Sequence, residues 1–102
     1  MLETLTHADF AQHVNTKFRM RLPSDTALEI ELIQAEEYTS APHQERFTLS
    51  FLAPLEAPAQ QGIYQIEHEQ LGTGGLFLVP TSRDESGLCY EAVFNRRRKV
   101  EK

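Results

Sequence analysis

Lys17-Phe18-Arg19-Met20-Arg21-Leu22-Pro23-Ser24-Asp25-Thr26-Ala27-Leu28-Glu29-Ile30-Glu31-Leu32 is the stretch that decides the fold class. Phe18, Met20 and Leu22 alternate with Lys17, Arg19 and Arg21, a period of two that marks a half-buried strand with a basic outer face. Pro23-Ser24-Asp25-Thr26 is turn chemistry. Leu28, Ile30 and Leu32 then alternate with Glu29 and Glu31, so the next strand, running to about Tyr38, has an acidic outer face. A hairpin would bring the two outer faces together, and cross-strand pairs of opposite charge favour that register. Basic and acidic residues of the same parity oppose each other only across an odd-numbered loop. The expected loop therefore holds three or five residues.

Working outward, the same period recurs. Arg46 to Ala53 places Phe47, Leu49 and Phe51 on one face. Ile63 to His68 places Tyr64, Ile66 and His68 on one face, opposite Ile63, Gln65 and Glu67. Leu88 to Asn95 sets Tyr90, Ala92 and Phe94 against Cys89, Glu91 and Val93. Leu76-Phe77-Leu78-Val79 is apolar on both faces, which predicts an interior strand covered on both sides and ended, or placed at an edge, by Pro80. Between the strands, Thr39 to His43, Pro54 to Gly62, Leu71 to Gly75 and Thr81 to Gly87 read as loops, with Leu55 expected to order the second.

Only Thr6 to Val14 departs from this period. Thr6 is an expected N-cap with Asp9 as the acid of a capping box, and Leu5, Phe10 and Val14 would face the core. Short links leave no room for repeated crossover helices, so the sheet is expected to be antiparallel. The expected fold is mainly β: about six antiparallel strands, as a small barrel or two-sheet sandwich, with one short N-terminal helix.

The chain has 102 residues, enough for one domain, placed at 1–95, with 96–102 as a flexible basic tail. Residues 1–95 hold five Lys/Arg against fourteen Asp/Glu, a balance of −9, while 96–102 hold five basic groups against Glu101, a balance of +4. No stretch approaches 18 apolar residues, and Met1 to His7 lacks the pattern of a signal peptide, so a cytoplasmic protein is expected. Cys89 is the only cysteine, which excludes an intrachain disulfide and a thiolate zinc cluster.

No residue is assigned to catalysis, to a cofactor or to a metal. Gly72-Thr73-Gly74-Gly75 precedes a strand rather than a helix and lacks a Walker lysine, so a hairpin turn is the better reading than a phosphate loop. His68 lies between Glu67 and Glu69, but strand alternation points both carboxylates away from it. His7, His13 and His43 are scattered, and a nucleophilic Cys89 would need a base that the pattern does not supply. Arg96, Arg97, Arg98 and Lys99 form the one unusual charge run and are the candidate interaction residues. Phosphate contacts would suit them, but the acidic body would repel a duplex and no aromatic residues interleave to stack bases.

Two sets of residues carry a resemblance. One is the opening Leu2 to Phe10; the other is Gln61-Gly62-Ile63-Tyr64, Ile66-Glu67-His68, Leu71-Gly72, Leu76 to Pro80 and Tyr90 to Arg96. Together they resemble a family of short bacterial proteins defined only as a domain of unknown function. The resemblance implies no activity and no cofactor. It also associates the chain with phage-tail-collar-like proteins, hence with an assembly role by analogy. The expectation is a non-catalytic structural or protein-interaction module whose partner is a protein, either a second copy or an assembly partner. The alternative is a small-molecule or nucleic-acid binder using a barrel mouth or the tail.

Overall fold

The computed structural model describes residues 1–38 and 44–97. The expected loop at 39–43, and Arg98, Lys99 and the rest of the tail, lie outside the described residues. A 3-10 turn at Leu2–Thr4 and helix α1 at His7–Ala11 precede β1 (Lys17–Arg21), β2 (Ala27–Glu37), β3 (Gln44–Ala53), β4 (Gly62–His68), β5 (Gly72–Asp84) and β6 (Gly87–Arg97). The strands close into a barrel in the order β1-β2-β3-β6-β5-β4, every pair antiparallel. Of the two architectures the sequence left open, the molecule is the barrel.

The deciding stretch folds as read. Arg21 pairs with Ala27, leaving five residues in the loop, and Lys17 opposes Glu31 while Arg19 opposes Glu29. The side chains add a connection the sequence did not announce. Among the described residues Lys17 alone makes an ion pair from strand to strand of the hairpin, with Nζ 3.5 Å from Glu31, while Arg21 also lies 3.9 Å from Asp25 in the loop. Arg19 and Arg21 turn instead to Glu67 on β4, at 3.2 and 2.9 Å. The Arg21 hydrogen bond, with a smaller one from Arg19, holds the Glu67 carboxyl below its ordinary value. Its two oxygens thus clasp the β1–β4 seam, where the backbone register records only Arg19 with Glu67 and Met20 with Ile66.

Inward residues follow the expected parity. Phe18, Met20, Ile30, Leu32, Phe47, Leu49, Phe51, Ile66, Leu76, Leu78 and Tyr90 are all essentially inaccessible. The interior is filled by side chains, as in small barrels generally. A bulge at Ile33 breaks the β2–β3 register and turns Ala35 inward, where its carbonyl meets His7 Nε2 at 3.1 Å. The N-terminal segment closes one end with Leu2 and Phe10, both fully buried. Thr6 and Asp9 form the capping box, but the helix stops at Ala11, and Leu5 and Val14 pack at the edge of the core.

Five expectations need correction. The glycines at 72–75 are strand rather than turn: the β4–β5 loop is Glu69-Gln70-Leu71, with Gly72 at φ 96°. Gly74 is bare because the N-terminal turn lies on it, so that a Cβ there would meet the Leu2 backbone nitrogen and the Glu3 side chain. β5 does not end at Pro80 but runs to Asp84 past an irregularity between Pro80 and Ser82, so the polar loop shrinks to Glu85-Ser86. Pro80 fits because β4 begins opposite Leu78, which leaves β5 one neighbour there. The stretch 76–79 is not covered on both sides, since Phe77 is half exposed. Leu55 does not order its loop: it is exposed, whereas Ala57 is buried. Finally, β6 includes Arg96 and Arg97, so a boundary at residue 95 falls inside a strand.

Candidate functional site

Three places concentrate polar chemistry or exposed apolar surface. The first is Arg96. On β6 the inward parity of Tyr90, Ala92 and Phe94 continues to Arg96, which enters the closed end beneath the N-terminal segment. Its guanidinium donates to the Glu3 and Leu5 carbonyls and, at 3.0 Å, to Glu45 Oε1. Glu45 Oε2 accepts the His7 backbone N–H at 3.3 Å. Phe47 and Phe94 stack at 4.5 Å, and the Arg96 Cζ lies 5.6 and 5.2 Å from their centroids. The first residue of the candidate basic run is thus an internal staple. Arg97 follows on the outer face, paired in register with Gln44.

The second place is His68. Its Nδ1 accepts the Gln70 and Leu71 backbone N–H groups at 3.0 and 3.2 Å. That pattern assigns the proton to Nε2, which lies 3.0 Å from Thr16 Oγ1. Thr16 in turn donates to the His13 carbonyl at 2.6 Å. The ring also sits 4.3 Å from Phe18 and 4.8 Å from His13. Glu67 faces away as the alternation required, toward Arg19 and Arg21. His68 therefore holds the β4–β5 turn and ties it to the segment before β1.

Burial, then the neighbouring His13, depresses the His68 pKa, against a smaller opposing pull from Glu69. Protonation would also set an Nδ1–H against two N–H donors. The unfolded chain consequently binds more protons than the folded one in the window below the ordinary histidine value of 6.5. Stability contributed by neutral His68 is complete above that value and declines as pH falls beneath it. Thermal melts of the wild type should show this decline. His68→Asn, which keeps an acceptor for the turn without titrating, should flatten it. An unchanged slope in that variant would remove His68 as the cause.

At the opposite end Tyr90 is fully buried and donates to the Pro58 carbonyl, while Tyr64 donates to the Gln60 carbonyl at 2.6 Å. Burial pushes the Tyr90 phenol up to about 12. Two hydroxyls thus tether the 54–61 segment over this mouth, and Ala57 fills it. Among the described residues no three His, Cys, Asp or Glu side chains group as metal ligands, and no helix is long and apolar enough to cross a membrane. Cys89 sits on β6 in register with Leu52 and Ser82, partly exposed.

The third place is on the outer surface. Ile63 on β4, Phe77 on β5 and Val93 on β6 point outward and are 77, 51 and 68 % exposed. Ile63 pairs directly with Phe77, and Val93 with Thr48 on β3. β5 and β6 pair from Val79–Glu91 toward their hairpin, and carrying that register back sets Phe77 beside Val93. Where the recorded pairing stops, a groove of ≈ 300 Å³ lies between Gly75–Phe77 and Ala92–Arg96, with Glu3 at its rim. Sequence reading assigned Phe77 to a strand covered on both sides and set Ile63 and Val93 only on the faces opposite Tyr64 and Tyr90. The signal that distinguishes a covered face from an exposed one is neighbouring composition, since Ile63 and Val93 also fall on the outward parity of their strands.

Fold and surface together define a closed, filled six-stranded antiparallel barrel carrying an exposed apolar row on one face. The chain belongs to the DUF6916 family, a domain of unknown function, whose model matches residues 5–94. No curated protein and no solved structure matches it.

Proposed function

We propose that the domain is a non-catalytic protein-interaction module that works through the outer face of β4, β5 and β6. The observation that carries this reading is the contiguous row Ile63, Phe77, Val93. Adjacent exposed side chains of this size mark contact surfaces more often than chance placement does. The β-branched pair and the phenyl ring lie on strands fixed by a packed core, so the surface is preformed and loses little entropy on docking. The alternative uses of the chain gain less support. The barrel axis is filled by the core side chains, and Arg96 is engaged internally rather than free for phosphate.

Photo-crosslinking in the native cell tests the reading. A benzophenone amino acid replacing Phe77 should give a protein adduct. The same group replacing Glu29, on the far side of the barrel, should give much less. Equal adduct yield at the two positions, or none at position 77, would refute an interface on this face.

A further inference from the structure

Resting on that interaction face, we infer that its occupant is a second copy of this chain, docked face to face about a two-fold axis that runs along the exposed row Val93, Phe77, Ile63. An isologous contact demands self-complementarity: what lies on one side of the axis must fit what lies on the other. The face meets that demand twice.

The first match is one of charge. On one side of the row sit Ser50 and Glu91, a cross-strand pair; on the other sit Arg46 and Asn95, then Gln44 and Arg97. The two-fold operation swaps the sides. Glu91 of one copy therefore faces Asn95 of the other, flanked by that copy's Arg46 one strand away and its Arg97 one pleat away. A strand spacing of about 4.8 Å for Arg46, and a separation of about 7 Å along the strand for Arg97, keep both guanidinium groups within reach of the carboxylate. Within a single copy, Glu91, Arg46 and Arg97 form no ion pair among the described residues. By symmetry the dimer gains each contact twice.

Shape provides the second match. Along β5, Val79 lies on the Glu91 side of the row and Gly75 on the Asn95 side. The operation places Val79 of one copy over Gly75 of the other. Gly75 has no side chain to obstruct it and lines the groove between β5 and β6. That groove is the recess beside the apolar row, and the partly exposed Val79 is the side chain that enters it. Val93, on the axis, meets Val93 of the second copy.

A face four strands wide is at the small end of stable interfaces, so a reversible dimer is expected and should be sought at about 100 μM. Light scattering on the full chain at that concentration should give the dimer mass, and Val93→Asp should return it to the monomer. Glu91→Arg and Arg46→Glu should each weaken dimerisation by about tenfold, two symmetric pairs being lost, and the double exchange should restore it. Val93→Cys in a Cys89→Ala background should be joined between copies by a short bismaleimide, because facing sheets lie about 10 Å apart at the axis, whereas Ser50→Cys in the same background should not. A dimer insensitive to Val93→Asp and to both charge exchanges would overturn the inference, since it would run through another face. A monomeric chain whose position-77 adduct contains a different protein would overturn it while leaving the interaction module standing. A monomer with no adduct at all would remove both.

Discussion

Arg96→Met should cost the fold about 2–4 kcal/mol, the range expected when one partner of a largely buried, charge-assisted network is removed. For a domain of this size, that is a fall of roughly 10–20 °C in melting temperature. The cause is what the guanidinium leaves behind. Glu45 is only 9 % exposed and would keep a single backbone partner, the His7 N–H. The Glu3 and Leu5 carbonyls would lose their donor, and the Phe47–Phe94 stack would lose the cation beside it. Methionine fills much of the same volume, so the loss reads out polar chemistry more than a void. Two controls separate the contributions. Arg96→Lys keeps the charge but not the planar fork and should recover only part of the loss. Glu45→Gln added to Arg96→Met removes the stranded charge and should restore about 1 kcal/mol or more. Stability within about 0.5 kcal/mol of wild type for Arg96→Met would show that the residue is the solvated start of a tail.

That residue also shows how far the sequence could be read. The run Arg96 to Lys99 stands out as charge, and charge at a terminus reads as solvated. The period-two parity from Tyr90 through Phe94 nevertheless continues to Arg96 and points it inward. Composition and periodicity disagreed at one position, and periodicity was right because Glu45, fifty-one residues earlier, waits at the same inner level. The hairpin parity succeeded for a related reason: both of its strands are local, and their pattern alone sets the register. Closure of the ring was not legible. β1 meets β4 across more than forty residues, and the Glu67 clasp depends on Arg19, which local pairing would give to Glu29, and on Arg21, which opposes the uncharged Ala27.

Other misreadings share a cause. Hydrophobicity ranked Leu55 over Ala57 as the anchor of its loop, but the space left over the barrel mouth fits the smaller residue. Leu76 to Val79 looked doubly covered because a period-two pattern cannot tell a buried outer face from an exposed apolar one. Glycine at 72–75 reads as turn because glycine is commonest there. At Gly74 its purpose is close approach of another backbone, which leaves no mark in neighbouring residues.

Gly74 accordingly carries the second large prediction. Its φ lies outside the left-handed region and β-branched residues favour strands, so on local grounds Gly74→Val should be neutral or better. The tertiary contact reverses that. A Cβ would stand 2.6 Å from the Leu2 backbone nitrogen and 3.0 Å from its Cβ, and would meet the Glu3 carboxylate. Backbone cannot yield as a flexible side-chain tip can, so the N-terminal turn must lift. Lifting it exposes Leu2, which is fully buried, and pulls the Glu3 carbonyl from Arg96. The expected cost is about 2–4 kcal/mol by urea melts, comparable with Leu2→Ala at about 2–3 kcal/mol. If both act by unseating one plug, Gly74→Val combined with Leu2→Ala should fall short of the sum by about 1 kcal/mol or more. Gly75→Ala is the internal control. Its outward Cβ meets side chains alone, the Ile63 methyl at 3.2 Å and Gln65 Oε1 at 4.0 Å, contacts that exposed side chains can relieve, so the cost should stay under about 1 kcal/mol. Strict additivity of the Gly74 and Leu2 changes would mean that the strand, not the plug, absorbs the added side chain.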